Sequence, residues 1–429
     1  MWNVLVLGVA SFLTDVSSEM VYPLLPLFLT ATLGASPAVL GVVEGVAESV
    51  ASLLRVFSGA LSDRLGHRKG LTIAGYGCSA VGKLLLAVAH GWGMVLAGRV
   101  VDRVGKGTRT APRDALIADA AAADHRGLAF GLHRALDSLG AVIGVAIAWS
   151  CLGRAGETYA AVFAWSVVPA ALAVATLFLV REPRAVARPA APMPVLRWRA
   201  LPVRLRRFLV VAFCFALGNS SNAFLLLRAA SLGVAPSTVV LLYLVYNVVY
   251  AAASYPGGRL SDRIGRRAVL VAGYALYGLV YLGFALARGA ADAWATWPLF
   301  ALYGAYIALT DGVEKALVSD LAPAELRATA LGLHATLVGL GLFPASFVAG
   351  QLWTAVGPAA PFWLGGATGL AAGGALVLVL GPSARPAPPR RGPAERPAAP
   401  PRPRARPGTP RGTARRSAAP ARAPRPACG

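Results

Sequence analysis

Charge is scarce in this chain, and negative charge scarcer still: 14% of its 429 residues are charged, with 19 Asp and Glu against 41 Lys and Arg. So low a charge content beside 56% hydrophobic residues lies outside the range of a soluble globular domain of this length. Cysteine is nearly as rare. Cys78, Cys151 and Cys214 lie in or beside apolar runs and Cys428 in a polar tail, at spacings that fit neither a disulfide scaffold nor a metal site. We read all four as packing residues and expect neither a metal nor a cofactor. The chain also lacks a zinc spacing, a nucleophile constellation and a phosphate-cradling loop, since Gly105-Lys106-Gly107-Thr108 has no preceding glycine at the right interval. An enzyme is therefore not expected.

What the sequence does contain is long apolar runs. A span of the hydrocarbon core needs about 20 apolar residues, and twelve candidates occur, near residues 4–32, 37–60, 70–90, 92–112, 128–150, 159–180, 208–230, 236–257, 268–288, 294–317, 328–351 and 359–380. The chain is read as an all-α, multi-pass membrane protein. Met1-Trp2-Asn3 supplies no basic leader and Asp15 and Glu19 interrupt the first run, so that run is expected to stay as helix one rather than be cleaved as a signal peptide.

The excess positive charge is localised. Residues 181–207 carry eight arginines against Glu182 and residues 381–429 carry twelve against Glu395, so these two segments hold +18 of the +22 net charge. The other basic residues cluster beside the loops after spans two, four, eight and ten. By the positive-inside rule both termini and the central linker are expected in the cytoplasm, and the membrane is expected to be the plasma (inner) membrane. The basic segments are expected to face anionic lipid rather than nucleic acid. Residues 383–429, rich in Pro and Arg, lack the apolar content to offset ordering entropy and are expected to be a disordered tail.

A tight charged turn, Gly59-Ala60-Leu61-Ser62-Asp63-Arg64-Leu65-Gly66-His67-Arg68, sits between spans two and three, and Gly258-Arg259-Leu260-Ser261-Asp262-Arg263-Ile264-Gly265-Arg266-Arg267 repeats it 199 positions later. Ala115-Leu116, Asp119, Arg126 and Gly131-Leu132-His133 recur at an offset of 201 as Ala316-Leu317, Asp320, Arg327 and Gly332-Leu333-His334. The chain is a duplication: residues 1–180 form one six-helix bundle, 181–207 a basic linker, 208–382 a second bundle and 383–429 the tail.

The paired turns resemble the loop signature of the major facilitator superfamily, with Gly59, Leu61, Asp63, Arg64, Gly66, Arg68 and Leu71 matching and His67 standing where a basic residue is usual. The resemblance implies twelve transmembrane helices in two pseudo-symmetric six-helix bundles. It implies rocking of the two halves about a central site, and a conformational latch at Gly59, Asp63, Arg64, Gly66 and Arg68, with Gly258, Asp262, Arg263 and Gly265 as its counterpart. Asp63 would lie against the start of helix eleven, and Asp262 and Arg263 against helix five. Arg99 and Gly105 are similar to the family's helix-four segment in which the Arg serves proton coupling, although Asp102 and Arg103 replace its Gln and Gly. Gly140 and Gly144 partly match the antiporter segment of helix five, with Val145 where Pro is expected; such a pair is also common helix-packing chemistry.

A charge at the bilayer centre costs roughly 2.5–3.5 kcal/mol on insertion scales, so each one inside a span calls for a reason. Asp15 with Glu19 and Glu44 with Glu48 are i, i+4 pairs that each present two carboxyls on one helix face. Lys83, Arg99, Asp102, His133, Arg134 and Asp137 complete the first half's set. The second half offers Asn219, Asn222, Tyr246, Asn247, Tyr250 and Asp311. Either these residues hold helices together by mutual pairing, or some carboxyls take and release protons as basic partners move. We assign proton coupling to the first-half set and the substrate pocket mainly to the second. Glu314 and Lys315 are expected to form interfacial salt bridges, and His133 and His334 to be packed and hydrogen-bonded.

The expected function is alternating-access secondary transport, as proton-coupled efflux of a small, cationic solute by a monomer. Uptake of such a solute, or ligand reception signalled through the basic tail without net transport, are the alternatives.

Overall fold

The computed structural model describes residues 2–65, 68–121, 125–152, 158–181, 198, 201–323 and 326–380, apart from the side chains of 56, 59–65, 126 and 328. Among these residues twelve long helices follow one another and no strand occurs: α1 (Trp2–Thr32), α2 (Pro37–Leu65), α3 (Arg68–Ala87), α4 (Trp92–Ala120), α5 (Arg126–Leu152), α6 (Tyr159–Leu177), α7 (Val203–Ser231), α8 (Pro236–Ile264), α9 (Arg266–Leu286), α10 (Thr296–Leu321), α11 (Arg327–Ala355) and α12 (Ala360–Leu380). Ten are long and apolar enough to cross a bilayer. The other two are α4 and α10, and α4 departs because it carries Arg99, Asp102, Arg103, Lys106, Arg109, Arg113 and Asp114. The helices also outrun the apolar stretches. The run near 92–112 continues helically to Ala120, and that near 37–60 to Leu65, because the charged residues that end a hydrophobic stretch do not end a helix.

Within the first half α1 packs on α5 and α6, α3 on α4 and α6, and α2 on α4. Within the second half α9 packs on α10 and α12, α8 on α10, and α7 on α11 and α12. Between the halves α2 meets α11 and α5 meets α8, two contacts that exchange under the internal repeat. The first is close because glycines line it. A Cβ on Gly41 would collide with the Ser346 carbonyl oxygen, and one on Gly350 would stand 2.6 Å from that of Pro37. The contact continues inward, where Ser49 Oγ donates to the Gly339 carbonyl at 3.2 Å. The halves are thus joined from the end that carries the α1–α2 turn down to mid-depth. Large apolar side chains and Trp2, Trp92, Trp294 and Trp297 are exposed on the outer surface, a distribution that suits lipid tails with an interfacial aromatic belt.

Two of the twelve helices are broken. In α1 the regular helix ends at Val21, a 3₁₀ turn covers Tyr22–Leu24 and a π turn covers Phe28–Thr32. Pro23 and Pro26 cause it: neither has an N–H to give to the carbonyl four residues earlier, so the carbonyls of Glu19 and Tyr22 are left without their helical donors. In α7 the helix Val203–Gly218 stops, and a new one begins at Ala223. Asn219-Ser220-Ser221-Asn222 breaks it because short polar side chains compete for the backbone; Ser221 Oγ accepts from Ala223 N at 3.3 Å. The two breaks face each other, with Tyr22 O–H and Ser221 Oγ 3.3 Å apart.

Candidate functional site

Asp15, Ser18, Glu19 and Tyr22 fall on one face of α1, and Arg99, Asp102, Arg103, Lys106 and Arg109 on one face of α4, by the i, i+3, i+4, i+7 rule. Together with Glu48 of α2, Asn222 of α7 and Tyr243 of α8 they line a cavity of about 180 Å³. At 1.5 Å per residue Glu44 and Glu48 lie roughly 10 and 16 Å beyond the start of α2, which places the cavity near the middle of a 30 Å hydrocarbon core. Gly140 and Gly144 of α5 set the α1 face in place: a Cβ on either would run into the carbonyl oxygens of Phe12 and Val16, which flank Asp15. Gly82 of α3 does the same for α4, since its Cβ would stand 2.7 Å from the Gly98 carbonyl oxygen.

The charges fall into two groups. In the first, Arg99 Nη2 donates to Glu44 Oε1 at 2.6 Å, Arg103 Nη2 to Glu48 Oε1 at 2.8 Å, and Lys83 Nζ lies 3.2 Å from Asp102 Oδ1. Arg99 Nη1 also stands 3.9 Å from Asp102 Oδ2, which links two of the pairs. Glu44 is wholly buried and Lys83 is 1% exposed, so each would be a severe desolvation loss without its partner. Glu44 Oε2 accepts from Ser221 Oγ at 3.0 Å, a hydrogen bond that reaches from the second half into the first.

The second group is left over. Among the described residues Asp15 and Glu19 have no cation within 4 Å, and Lys106 and Arg109 no carboxylate. Glu19 Oε2 is buried without a hydrogen-bond partner. Arg109 donates to Ser79 Oγ and lies over the Tyr76 ring at 4.5 Å. Lys106 is exposed to the cavity it lines.

The profile of the Major Facilitator Superfamily matches this sequence at residues 7–227 and again at 208–420, once for each half. The chain belongs to that superfamily. An uncharacterized MFS-type transporter of Methanocaldococcus jannaschii is 37% identical over 387 residues, covering 88% of this chain and 94% of the relative. The multidrug resistance protein MdtH of Cronobacter sakazakii is 32% identical over 127 residues, 30% of this chain and 31% of that protein. Solved structures share the fold at low identity. The nucleoside transporter NupG superimposes with a TM-score of 0.71 at 14% identity over 89% of this chain and 98% of its own, and a D-xylose-proton symporter with 0.71 at 18% over 88% and 97%. The chain is a transporter of the superfamily and not an enzyme.

The other residues of this superfamily member singled out from the sequence, Asn222 apart, do not line the cavity and meet partners of their own. His133, Tyr76 and Arg113 meet at Ser11: Oγ is 2.9 Å from His133 Nε2 and 2.8 Å from the Tyr76 hydroxyl, and accepts from Arg113 Nη1 at 3.1 Å. His133 Nδ1 stands 3.5 Å from Asp137 Oδ2. Arg134 lies in electrostatic reach of Tyr250 and Asp311 of the other half. In the second half Asn222 accepts from the Tyr303 hydroxyl at 2.7 Å, Asn219 donates to that of Tyr306 at 3.2 Å, and Asn247 donates to the Tyr243 carbonyl at 3.0 Å. Tyr246 packs between Tyr243, Tyr250 and Tyr303. Asp311 accepts from Tyr250 at 3.5 Å and from Lys315 at 2.6 Å. Glu314 accepts from Tyr274 at 2.9 Å and lies 3.2 Å from His334 Nε2, which stacks on Phe208. Lys315 is thus ion-paired within its own helix, and Glu314 faces a histidine of its own half whose Nε2 makes no hydrogen bond, so His334 is packed on Phe208 but not hydrogen-bonded through that nitrogen as expected.

At the repeated turns Gly265 takes a φ of +96°, a conformation few other residues accept, and starts α9 without a linker. Asp262 pairs with Arg266 at 2.5 Å, and Arg266 with Asp320 at 3.4 Å. In the first half Arg68, the counterpart of Arg267, pairs with Asp119, the counterpart of Asp320. Gly59, Asp63, Arg64 and Gly66 lie outside the residues whose side chains are described, as do most of the linker and the tail.

Sequence reasoning passed over Ser18, Tyr22, Lys106, Arg109 and Ser221 as site residues. The signal was present, because these positions continue the helical spacing of Asp15–Glu19 on α1 and of Arg99–Asp102–Arg103 on α4.

Proposed function

We propose that this transporter is a proton-coupled exporter of a small solute bearing a positively charged group. What carries the reading is the contrast between Glu44, Glu48 and Asp102, each held by a cation, and Asp15 and Glu19, which line the cavity beside Glu48 and Asp102 with none within 4 Å. A carboxyl in that position is neutralised by a proton or by a cationic solute, and the two compete. Competition for one site is sufficient for exchange when the site opens alternately to each side. The second half contributes Asn222 and Tyr243 to the wall, which fits a role in shaping the solute's pocket.

The partial likeness to a multidrug resistance protein and the Gly140–Gly144 contact with α1 support export over uptake. The basic turns at Arg68-Lys69 and Arg266-Arg267 support placing both termini on the cytoplasmic face of the inner membrane. The contact of α2 with α11 from Pro37 inward then makes this a state closed to the outside.

The test is transport in oriented vesicles, with solutes chosen by thermal-shift screening of the purified protein. An acid interior in inside-out vesicles should drive accumulation. Accumulation in right-side-out vesicles under an acid exterior would establish uptake instead. Binding without movement in either, with a response lost on removal of residues 383–429, would make the protein a receptor.

A further inference from the structure

We infer that the transported solute is a zwitterion, carrying an acidic group as well as the amine, and that Lys106 and Arg109 receive the acidic end. The inference rests on the exchange reading above and extends it.

Of the eight charged residues that line the chamber, four are basic (Arg99, Arg103, Lys106, Arg109) and four acidic (Asp15, Glu19, Glu48, Asp102). Ion pairing with Glu44, Glu48 and Lys83 consumes Arg99, Arg103 and Asp102. Two cations on α4 and two carboxyls on α1 remain, each farther than 4 Å from any opposite charge among the described residues. The chamber between them is a gap in an otherwise closed network. A simple cation placed there satisfies Asp15 and Glu19 and leaves Lys106 and Arg109 unanswered; a simple anion does the reverse. Either outcome leaves one pair of like charges without an opposite partner, a loss that weighs most on Arg109, which is buried.

A solute with an ammonium and a carboxylate answers both sides at once. Lys106 supplies a mobile ammonium donor that can follow the carboxylate. Arg109 is restrained against Ser79 and the Tyr76 ring, a position from which it contributes field rather than a moving contact. On the α1 side Glu19 Oε2 offers an unused acceptor to the amine. Tyr22 and Tyr243, whose ring centroids are 5.5 Å apart, line the chamber with aromatic groups suited to an apolar side group.

The experiment uses matched triplets: an α-amino acid, its methyl ester and its N-acetyl derivative, which present both charges, the cation alone and the anion alone. Triplets spanning small, branched, aromatic and polar side chains are titrated against the purified full-length protein by thermal shift, with proton release recorded separately in weak buffer. In at least one triplet the zwitterion should protect at a concentration about tenfold lower than either partner, a difference of 1.4 kcal/mol. Lys106→Gln should bring zwitterion and ester to parity, and Lys106→Arg should restore the preference. An ester that protects the wild type as well as the zwitterion, or a panel in which no triplet protects, overturns the inference. Zwitterion preference without proton release would leave the inference standing and overturn the exchange reading; ester preference with proton release would do the opposite.

Discussion

Arg99 of α4 donates at 2.6 Å to one carboxylate oxygen of Glu44 in α2, and the other oxygen accepts at 3.0 Å from Ser221, which belongs to the second half of the repeat. The pair is fully enclosed, so its worth lies in mutual dependence: breaking a buried ion pair from one side costs roughly 3–5 kcal/mol because the remaining charge is stranded. Glu44→Gln and Arg99→Met should each lower thermal stability in detergent by an amount of that order. The double variant should recover much of the loss, since no lone charge is left behind. A double-mutant cycle read by urea or thermal unfolding tests this, and additive losses would refute the coupling.

Asp15 and Glu19 should behave in the opposite way. Neither completes an ion pair, so Asp15→Asn and Glu19→Gln should leave stability within about 1 kcal/mol of wild type, the range expected where no buried partner is stranded. Solute binding in these variants should lose its dependence on pH. With the sign worked out, protons compete with the solute at these carboxyls, so wild-type binding weakens as pH falls; in the amide variants no proton can be taken up and the affinity curve flattens. Binding titrations across a pH series give the answer. A wild-type slope retained in Asp15→Asn, Glu19→Gln and their double variant would remove α1 from coupling.

The comparison with Glu44 and Glu48 also shows what could be read from the chain and what could not. Twelve apolar runs and two copies of one turn are local patterns, and they gave the spans and the twofold organisation directly. The acids in α1 and α2 were equally visible as i, i+4 pairs. Which acid has a partner was not visible, because Glu44 and Arg99 are 55 positions apart and meet only when α2 crosses α4. The same holds for Ser221, whose contact with Glu44 spans 177 positions. Lys106 and Arg109 were overlooked for a different reason: they stand near the end of an apolar run, where a basic residue reads as an interfacial anchor, whereas the helix continues to Ala120 and keeps them on the chamber face.

Gly41 and Gly350 hold the α2–α11 contact at the end carrying the α1–α2 turn, and no larger residue fits without parting two backbones. Gly41→Leu should therefore shift the protein away from this closed arrangement rather than unfold it. In a background without the four native cysteines, a cysteine placed at Ser49 should react faster with a membrane-impermeant maleimide in Gly41→Leu than in Gly41, and transport should fall at least tenfold. Unchanged labelling would mean that the helices tolerate the side chain by local repacking.

The duplicated turns make a quantitative case about symmetry. Arg266 lies between Asp262 at 2.5 Å and Asp320 at 3.4 Å, and in the first half Arg68, one position further along the repeat, pairs with Asp119, the counterpart of Asp320. All three acids are exposed, and exposed pairs contribute only about 0–1 kcal/mol to stability. If these bridges serve to hold one conformation against another, their removal should change transport far more than unfolding. Asp320→Asn and Asp119→Asn should each leave unfolding within about 1 kcal/mol of wild type while changing the transport rate severalfold. Exchange of the charges in Arg266→Asp with Asp320→Arg should return part of that rate, although Asp262 then faces an acid and keeps the rescue incomplete. Transport and unfolding measured on the same preparations separate the two effects. A loss of transport that tracks the loss of stability would make the bridges simple staples.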